Sequence, residues 1–175
     1  MTATTSQRVC VIGAGSSGIA SCQVLHARGI PFDCFEKGSE IGGNWRYMND
    51  NGMSSAYRSL HINTSRDLMA YPTFPMPADY PDYPDHFAIA RYFDAYVDHF
   101  GFREHISCRT EVTAVEPTDG SGFSVTVRSL EDGAERTNRY DVSSSVRDRR
   151  RLERDRFLPG TPRTRDPVRL LREGI

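Results

Sequence analysis

The sequence has little of what marks disulfide-rich, metal-binding and membrane-spanning proteins. It contains four cysteines in 175 residues and no Cys-x-x-Cys pair, so we expect reduced thiols and no metal site. The most apolar stretch, residues 9–25, is interrupted by glycines, serines and Gln23, and neither the basic segment nor the cleavage site of a signal peptide accompanies it. These absences predict a cytoplasmic protein without a transmembrane segment.

The chain also lacks the excess of one charge that favours a polyanionic partner. Its 22 basic and 23 acidic side chains give a formal net charge of −1, so no nucleic-acid partner is expected. The charge is unevenly distributed: residues 1–141 carry 12 basic and 18 acidic side chains, whereas residues 142–175 carry ten arginines, no lysine and five acidic side chains. The length and an apolar content of 38% fit one domain, or one and a fraction.

A glycine motif is the most informative feature that is present. A short apolar strand over residues 8–12 leads directly into a Gly-x-Gly-x-x-Gly motif, and a helical pattern follows. Gly13 permits a tight turn, Gly15 lets a pyrophosphate approach the backbone, and Gly18 lets the helix pack on the strand. The free N–H groups and positive dipole end of the helix favour an anion there. The motif predicts a dinucleotide site.

An acidic residue follows at the spacing expected for ribose binding. A second strand, residues 32–35, ends in Glu36, which is 18 residues after Gly18. The expected spacing is roughly 20 residues, and a carboxylate there accepts hydrogen bonds from ribose hydroxyls and repels a 2′-phosphate. The alternative is an ordinary turn with a glutamate at the surface.

Aromatic residues occur in three further segments. Trp45, the only tryptophan, follows a Gly-Gly pair and either caps a planar ligand or packs its loop onto the domain. Residues 71–84 alternate prolines and aromatics, which favours a loop packed on the protein over a ligand for an SH3-type domain. Residues 86–100 have apolar residues at helical spacing, and this aromatic stripe predicts an amphipathic helix facing the core.

Three strand patterns close the ordered part of the chain. Residues 111–116, 123–129 and 136–142 are separated by the turn signals Asp-Gly-Ser-Gly and Glu-Asp-Gly. This spacing predicts a small antiparallel β-meander inserted in a mostly parallel fold. The predicted fold class is therefore α/β.

Several of these motifs together resemble the N-terminal portion of the flavin-containing monooxygenase family, including its Baeyer–Villiger relatives. The resemblance covers about residues 8–141 and implies an incomplete doubly wound, Rossmann-like FAD-binding domain. It rests on the glycine motif, on Glu36, on Gly42-Gly43-Asn44-Trp45, on Ile62-Asn63-Thr64-Ser65, and on Met69-Ala70-Tyr71-Pro72-Thr73-Phe74-Pro75-Met76-Pro77.

The resemblance implies FAD as the first cofactor and NADPH as the reductant in the intact family. The residues that it assigns to the pyrophosphate are Gly13, Ala14, Gly15, Ser16 and Ser17, with Gly18 completing the motif. It assigns Glu36 to the adenosine ribose, and the residues that it places near the flavin are Asn44, Trp45, Ile62 and Asn63. Lys37 and Gly43 are further cofactor-binding candidates.

The resemblance also implies a reaction. In family members NADPH reduces the flavin, and an oxygen atom from O₂ passes to a soft nitrogen, sulfur or carbonyl centre. Asn63 matches a family asparagine near the oxygen-activating centre and is the one catalytic candidate. An amide suits that place because it donates and accepts hydrogen bonds without adding charge. The alternative for Asn63 is a plain turn residue.

The resemblance ends near Asp141, where the family continues with an apolar strand. This chain has Val-Ser-Ser-Ser there, then a run of arginines, and it has no second glycine motif for NADPH. We therefore divide it into a Rossmann-like FAD-binding portion, 1–141, and an Arg-rich portion, 142–175. The latter is interpreted as a shifted reading frame or a disordered tail; the alternative is a genuine basic tail that binds nucleic acid or anionic lipid.

The expected function follows from these parts. We expect the FAD-binding part of an NADPH-dependent flavin monooxygenase, inactive as this chain alone because the NADPH site is absent. The apolar strand after Asp141 is expected to be missing, so its neighbours stay unpaired and apolar surface is uncovered. We therefore expect marginal stability and weak or absent FAD binding for the chain alone. The alternatives are a non-catalytic FAD- or nucleotide-binding module and an interaction protein that uses the proline-rich loop or the tail.

Overall fold

The fold combines a parallel sheet with helices and a separate antiparallel sheet. A computed structural model describes residues 7–145. In chain order the elements are β1 (Val9–Ile12), α1 (Ser16–Ala27), β2 (Phe32–Phe35), α2 (Arg66–Met69), α3 (His86–Phe100), β3 (Ile106–Ser107), β4 (Thr110–Pro117), β5 (Phe123–Ser129), β6 (Glu135–Tyr140) and β7 (Val142–Ser145). Among these residues no helix combines the length and apolarity needed to span a bilayer.

The parallel sheet has the strand order β3-β2-β1-β7, with every neighbouring pair parallel. β1 therefore has a hydrogen-bonded neighbour on each side, and Val9, Cys10 and Val11 are all buried. An uninterrupted apolar run of this kind is typical of a parallel strand covered on both faces. This arrangement, with the antiparallel meander, confirms the predicted α/β class.

Helices α1 and α3 cover one face of the parallel sheet. α3 begins and ends at the predicted residues, because the Asp85 side chain accepts a hydrogen bond from the Ala88 N–H and Gly101 adopts a φ of 70° after the last turn. Its buried aromatics, Tyr92, Phe93 and Tyr96, lie in the main core with Ile19 and Cys22 of α1. The aromatic stripe is core, as the sequence predicts.

The meander β4-β5-β6 is antiparallel and forms a second, smaller core. Val125, Val127 and Tyr140 pack there with Cys10 and Phe35 of the parallel sheet. The Tyr140 hydroxyl donates to Asp33 Oδ2 at 2.8 Å, which ties the last meander strand to β2. The sequence predicts a third meander strand over residues 136–142, but β6 ends at Tyr140 because the chain then joins the other sheet.

The expectation that the strand after Asp141 is missing, which would leave its neighbour in the sheet unpaired, is wrong. Val142–Ser145 forms β7, parallel to β1, with Val9 opposite Val142 and Ile12 opposite Ser145. Asp141 directs the chain there: its carboxylate accepts from the Arg8 N–H at 2.8 Å, and its own N–H donates to the Arg8 carbonyl at 2.9 Å.

β7 forms although serines fill most of it, because ladder hydrogen bonds join backbone groups and any residue except proline can donate them. The expected weak or absent FAD binding depends on a missing strand with unpaired neighbours, and β7 removes that reason. Residues 146–175, which hold the arginines of the proposed tail, lie outside the described residues, so the boundary at 141 stays a prediction.

Candidate functional site

The glycine motif forms a turn that only glycine fits at two positions. Gly13 follows β1 with a φ of +91°, and its N–H donates to the Phe35 carbonyl at 2.8 Å. At Gly18, a Cβ would lie 1.9 Å from the Gly13 carbonyl oxygen. The start of α1 therefore packs directly on the turn, and any side chain larger than that of glycine at position 18 would collide with the Gly13 carbonyl.

The first turn of α1 presents free backbone donors. Ile19 is the first residue whose N–H closes a helical bond, to the Gly15 carbonyl at 3.0 Å. No acceptor within the described part of the chain bonds the N–H groups of Ser16, Ser17 or Gly18, and no side chain caps the helix at Gly15. These donors, at the positive end of the helix dipole, suit an anion such as a pyrophosphate.

Glu36 joins the glycine turn to the residues that follow β2. It is only 4% exposed, so the alternative of a surface glutamate does not hold. Its Oε2 accepts from the Ala14 N–H at 2.7 Å, and its Oε1 accepts from the Gly38 N–H at 2.8 Å and from Asn51 Nδ2 at 3.3 Å. A carboxylate has about four acceptor positions, so Oε2 keeps one for a ligand hydroxyl.

The loop with the second glycine pair lies against the glycine turn. The Gly42 N–H donates to the Ala14 carbonyl at 2.9 Å. At Gly43, which has a φ of +54°, a Cβ would lie 3.0 Å from the Gly15 Cα. The two glycine segments therefore approach through their backbones, and together they form a cradle that side chains would fill.

Three other predicted residues are engaged by the protein itself. Asn44 Oδ1 accepts from both the N–H and the hydroxyl of Ser55, each at 2.8 Å. Trp45 is half-buried and packs against the main core, which favours the packing interpretation. Lys37 Nζ donates to Glu111 at 2.9 Å. None of these three side chains hydrogen-bonds the glycine turn within residues 7–145.

Ile62 and Asn63 lie on a separate segment tied to the start of α3. The Ile62 N–H donates to the Pro84 carbonyl at 3.1 Å, and the Ile62 side chain is buried in the main core. Asn63 is exposed, and its amide hydrogen-bonds no residue in the described part of the chain. Hydrogen bonding therefore brings the glycine turn, Glu36 and Gly42 together and leaves Asn63 apart.

Two further residues, which the sequence does not mark as site residues, contact this site. The Tyr71 hydroxyl donates to the Ser16 carbonyl at 2.5 Å, and Arg46 anchors the Gly42–Gly43 loop. Arg46 Nε donates to the Ile41 carbonyl at 3.0 Å, and its Nη2 donates to Asp94 Oδ2 at 2.8 Å. Two signals in the sequence point to Tyr71: it is an aromatic residue in a loop predicted to pack on the protein, and it lies in a segment that carries the family resemblance.

The buried cysteines near the site are inert. Burial, with a smaller effect of Asp33, raises the pKa of Cys10 to about 12. A hydrogen bond with Cys22, together with burial, raises the pKa of Cys34, whose Sγ lies 3.9 Å from the Gly13 carbonyl oxygen. Among residues 7–145 no group of three or more His, Cys, Asp or Glu side chains is placed to hold a metal ion. The thiols of Cys10 and Cys34 therefore stay protonated, and both act as small core residues.

The parallel sheet and the glycine turn at the end of β1 define a dinucleotide-binding α/β domain. Comparison with known proteins narrows this class. The family described as Flavin-binding monooxygenase-like matches residues 6–143. Flavin-containing monooxygenase 1 of Homo sapiens is 34% identical over 121 residues, which cover 68% of this chain and 23% of the relative.

Two solved structures are also similar. The structure of S-allyl-L-cysteine S-oxygenase from Allium sativum superposes with a TM-score of 0.71 at 25% identity, over 78% of this chain and 35% of the other. The open crystal structure of cyclohexanone monooxygenase superposes with a TM-score of 0.64 at 25% identity, over 79% and 26%. The chain belongs to the flavin-binding monooxygenase-like family, which confirms the prediction, and it spans about a fifth of the length of the curated relatives that it matches.

Proposed function

We propose that this chain is the FAD-binding part of a flavin-dependent monooxygenase that uses NADPH. One observation carries the proposal: Ala14 joins the three segments of the cradle through its backbone. Its N–H donates to Glu36, and its carbonyl accepts from Gly42, so that the glycine turn, the acid and the second glycine pair form one unit. Membership of the flavin-binding family supports FAD over other dinucleotides.

Each part of the cradle has a role in this proposal. The N–H groups of Ser16 and Ser17 bind the pyrophosphate, which Gly15 lets approach the backbone. Glu36 accepts a hydrogen bond from the adenosine ribose through the free position on Oε2, with Lys37 beside it. The flavin is assigned to Gly43, Asn44, Trp45, Ile62 and Asn63. When bound, FAD supplies the redox chemistry, taking electrons from NADPH and reacting with O₂.

We assign the intact protein an acceptor with a soft nitrogen, sulfur or carbonyl centre. The names of two similar structures support the last two classes, since one is an oxygenase of a thioether amino acid and the other a monooxygenase of a cyclic ketone. The 175 residues contain a single Gly-x-Gly-x-x-Gly motif of this kind, which the FAD occupies in this proposal. We therefore propose that the chain binds FAD but does not oxidise NADPH by itself.

Titration of the purified apoprotein with FAD tests this function. We expect saturable binding of one FAD per chain, seen as a change in flavin fluorescence, and a yellow protein after gel filtration. The same preparation should show no NADPH oxidation or O₂ consumption above that of free FAD. A folded chain, checked by circular dichroism, that binds no FAD would contradict the proposed cofactor. FAD-dependent NADPH oxidation would instead contradict the proposed inactivity.

A further inference from the structure

The first turn of α1 receives a hydrogen bond from outside the cradle. The Tyr71 hydroxyl donates to the Ser16 carbonyl oxygen at 2.5 Å, although the two residues are 55 positions apart in sequence. The Ser16 carbonyl and the Ser17 N–H belong to one planar trans peptide group and point in opposite directions. As the first residue of α1, Ser16 also offers its carbonyl to the helical ladder, so Tyr71 adds a second donor to that oxygen. This added bond further restricts the carbonyl and, with it, the direction of the Ser17 N–H, which is one of the free donors of the cradle.

Tyr71 is itself held in place by α3. Its ring packs on the Tyr96 ring with a centroid distance of 4.4 Å and stacks on Tyr92 at 5.9 Å. Its N–H donates to the Tyr92 hydroxyl at 2.7 Å, and that hydroxyl donates to the Phe74 carbonyl at 2.6 Å. Because Tyr92 is 1% exposed and lies mid-helix, these bonds connect a rigid part of the core to the first turn of α1.

The chemistry of the tyrosine suits a permanent donor. Burial, with smaller effects of Tyr96 and Tyr92, raises the pKa of Tyr71, so its hydroxyl stays protonated. A hydrogen bond to a peptide carbonyl polarises the whole peptide group and strengthens its N–H as a donor. The ring contacts would be equally served by phenylalanine, so the hydroxyl is the part of Tyr71 that packing does not explain.

We propose that Tyr71 is a positioning residue for the pyrophosphate cradle. Its hydroxyl orients and polarises the Ser16–Ser17 peptide, so that the Ser17 N–H is set to bind a phosphoryl oxygen before the ligand arrives. The link to FAD rests on the proposed function. The claim about the peptide group does not, since any pyrophosphate-containing anion bound at this turn reports on it.

The test compares Tyr71→Phe with the matched control Tyr80→Phe. Tyr80 is half-buried in the same loop, and its hydroxyl has no partner within the described residues. We expect Tyr71→Phe to weaken FAD binding on the order of three- to tenfold, the effect of one hydrogen bond, and Tyr80→Phe to leave it unchanged. In the ligand-free chain, Tyr71→Phe alone should shift the ¹⁵N resonance of the Ser17 amide.

A second probe, inorganic pyrophosphate, separates this inference from the proposed function. We expect it to shift the Ser17 amide resonance of the unmodified chain and to require higher concentrations in Tyr71→Phe, both measured far below the midpoint of thermal unfolding. If the unmodified chain responds in this way but binds no FAD, the proposed cofactor is wrong and the positioning role stands. Equal FAD and pyrophosphate affinities in Tyr71→Phe and the unmodified chain, or an unchanged Ser17 resonance, would overturn the role.

Discussion

The two halves of the proposed FAD site differ in how far this chain fixes them. In the half assigned to the pyrophosphate and ribose, the backbone of Ala14 is bonded on one side to Glu36 and on the other to Gly42. In the half assigned to the flavin, the side chain of Asn44 is bonded to Ser55, and the amide of Asn63 is bonded to no described residue. The pyrophosphate half is therefore preorganised, whereas the flavin half, in which the Asn63 amide is unbonded within the described residues, is open.

The difference has a physical cause in the sheet. The pyrophosphate half grows from the ends of β1 and β2, and β1 is paired on both sides. Its turn therefore has little freedom, and it needs glycine where backbones touch. The flavin half lies on residues 43–63, which contain no strand, so fewer ladder bonds constrain it. Variants that remove single contacts from each half measure this contrast.

Gly18→Ala should have the largest effect, because it breaks the preorganised half outright. The new Cβ would lie 1.9 Å from a backbone oxygen, so the helix must move away from the turn. We expect a loss of about 3 kcal/mol or more in the free energy of unfolding, measured in urea, together with loss of FAD binding.

Gly15→Ala is the matched control for that variant. Its Cβ would meet its nearest backbone neighbour, the Gly43 Cα, at an ordinary 3.8 Å. The free energy of unfolding should therefore change by less than about 1 kcal/mol. FAD binding should nevertheless be lost, as in Gly18→Ala, because the methyl group fills the path of the pyrophosphate. Full FAD affinity in Gly15→Ala would exclude this turn as the pyrophosphate site.

Glu36→Gln should have the next largest effect. The buried carboxylate accepts three hydrogen bonds. Glutamine has an NH₂ group in place of one carboxylate oxygen, so a donor would face a backbone N–H group. One buried N–H then loses its acceptor, at about 1–3 kcal/mol of unfolding free energy. FAD affinity should fall about tenfold or more, because the ribose loses a charged acceptor. Unchanged stability and affinity would show that Glu36 does not join the two segments.

Arg46→Gln tests the support of the second glycine pair, with a smaller expected effect. The Arg46 side chain is 18% exposed and donates hydrogen bonds to the Ile41 carbonyl and to Asp94. We therefore expect Arg46→Gln to lower the free energy of unfolding by about 1–2 kcal/mol and to weaken FAD binding several-fold. Arg103→Gln is the control, because Arg103 pairs with the same aspartate, is 45% exposed and does not touch the loop. Arg103→Gln should lower the free energy of unfolding by less than about 1 kcal/mol. Equal effects of the two variants would mean that Arg46 contributes only surface charge.

Sequence reasoning succeeded where the pattern is local. The glycine motif, α3 and the three meander strands follow from spacing, turn signals and helical period, and the family was recognised from several motifs in order. It failed where a contact joins distant residues. Nothing in Val-Ser-Ser-Ser indicates that its backbone pairs with β1, and the two residues of β3 are too few for a period. The Tyr71–Ser16 bond spans 55 positions and requires the fold to be known.

Asn63→Ala should have the smallest effect, and it tests the open half directly. The amide is exposed and has no bond to break among the described residues, so the free energy of unfolding should change by less than about 0.5 kcal/mol. FAD affinity of this chain should also stay within about twofold, which is less than the effect of one net hydrogen bond, because we assign the contact of Asn63 with the flavin to the intact protein and not to this chain alone. A loss of FAD affinity as large as that of Glu36→Gln would show instead that Asn63 already contacts bound FAD, and that both halves of the site are organised by residues 7–145 alone.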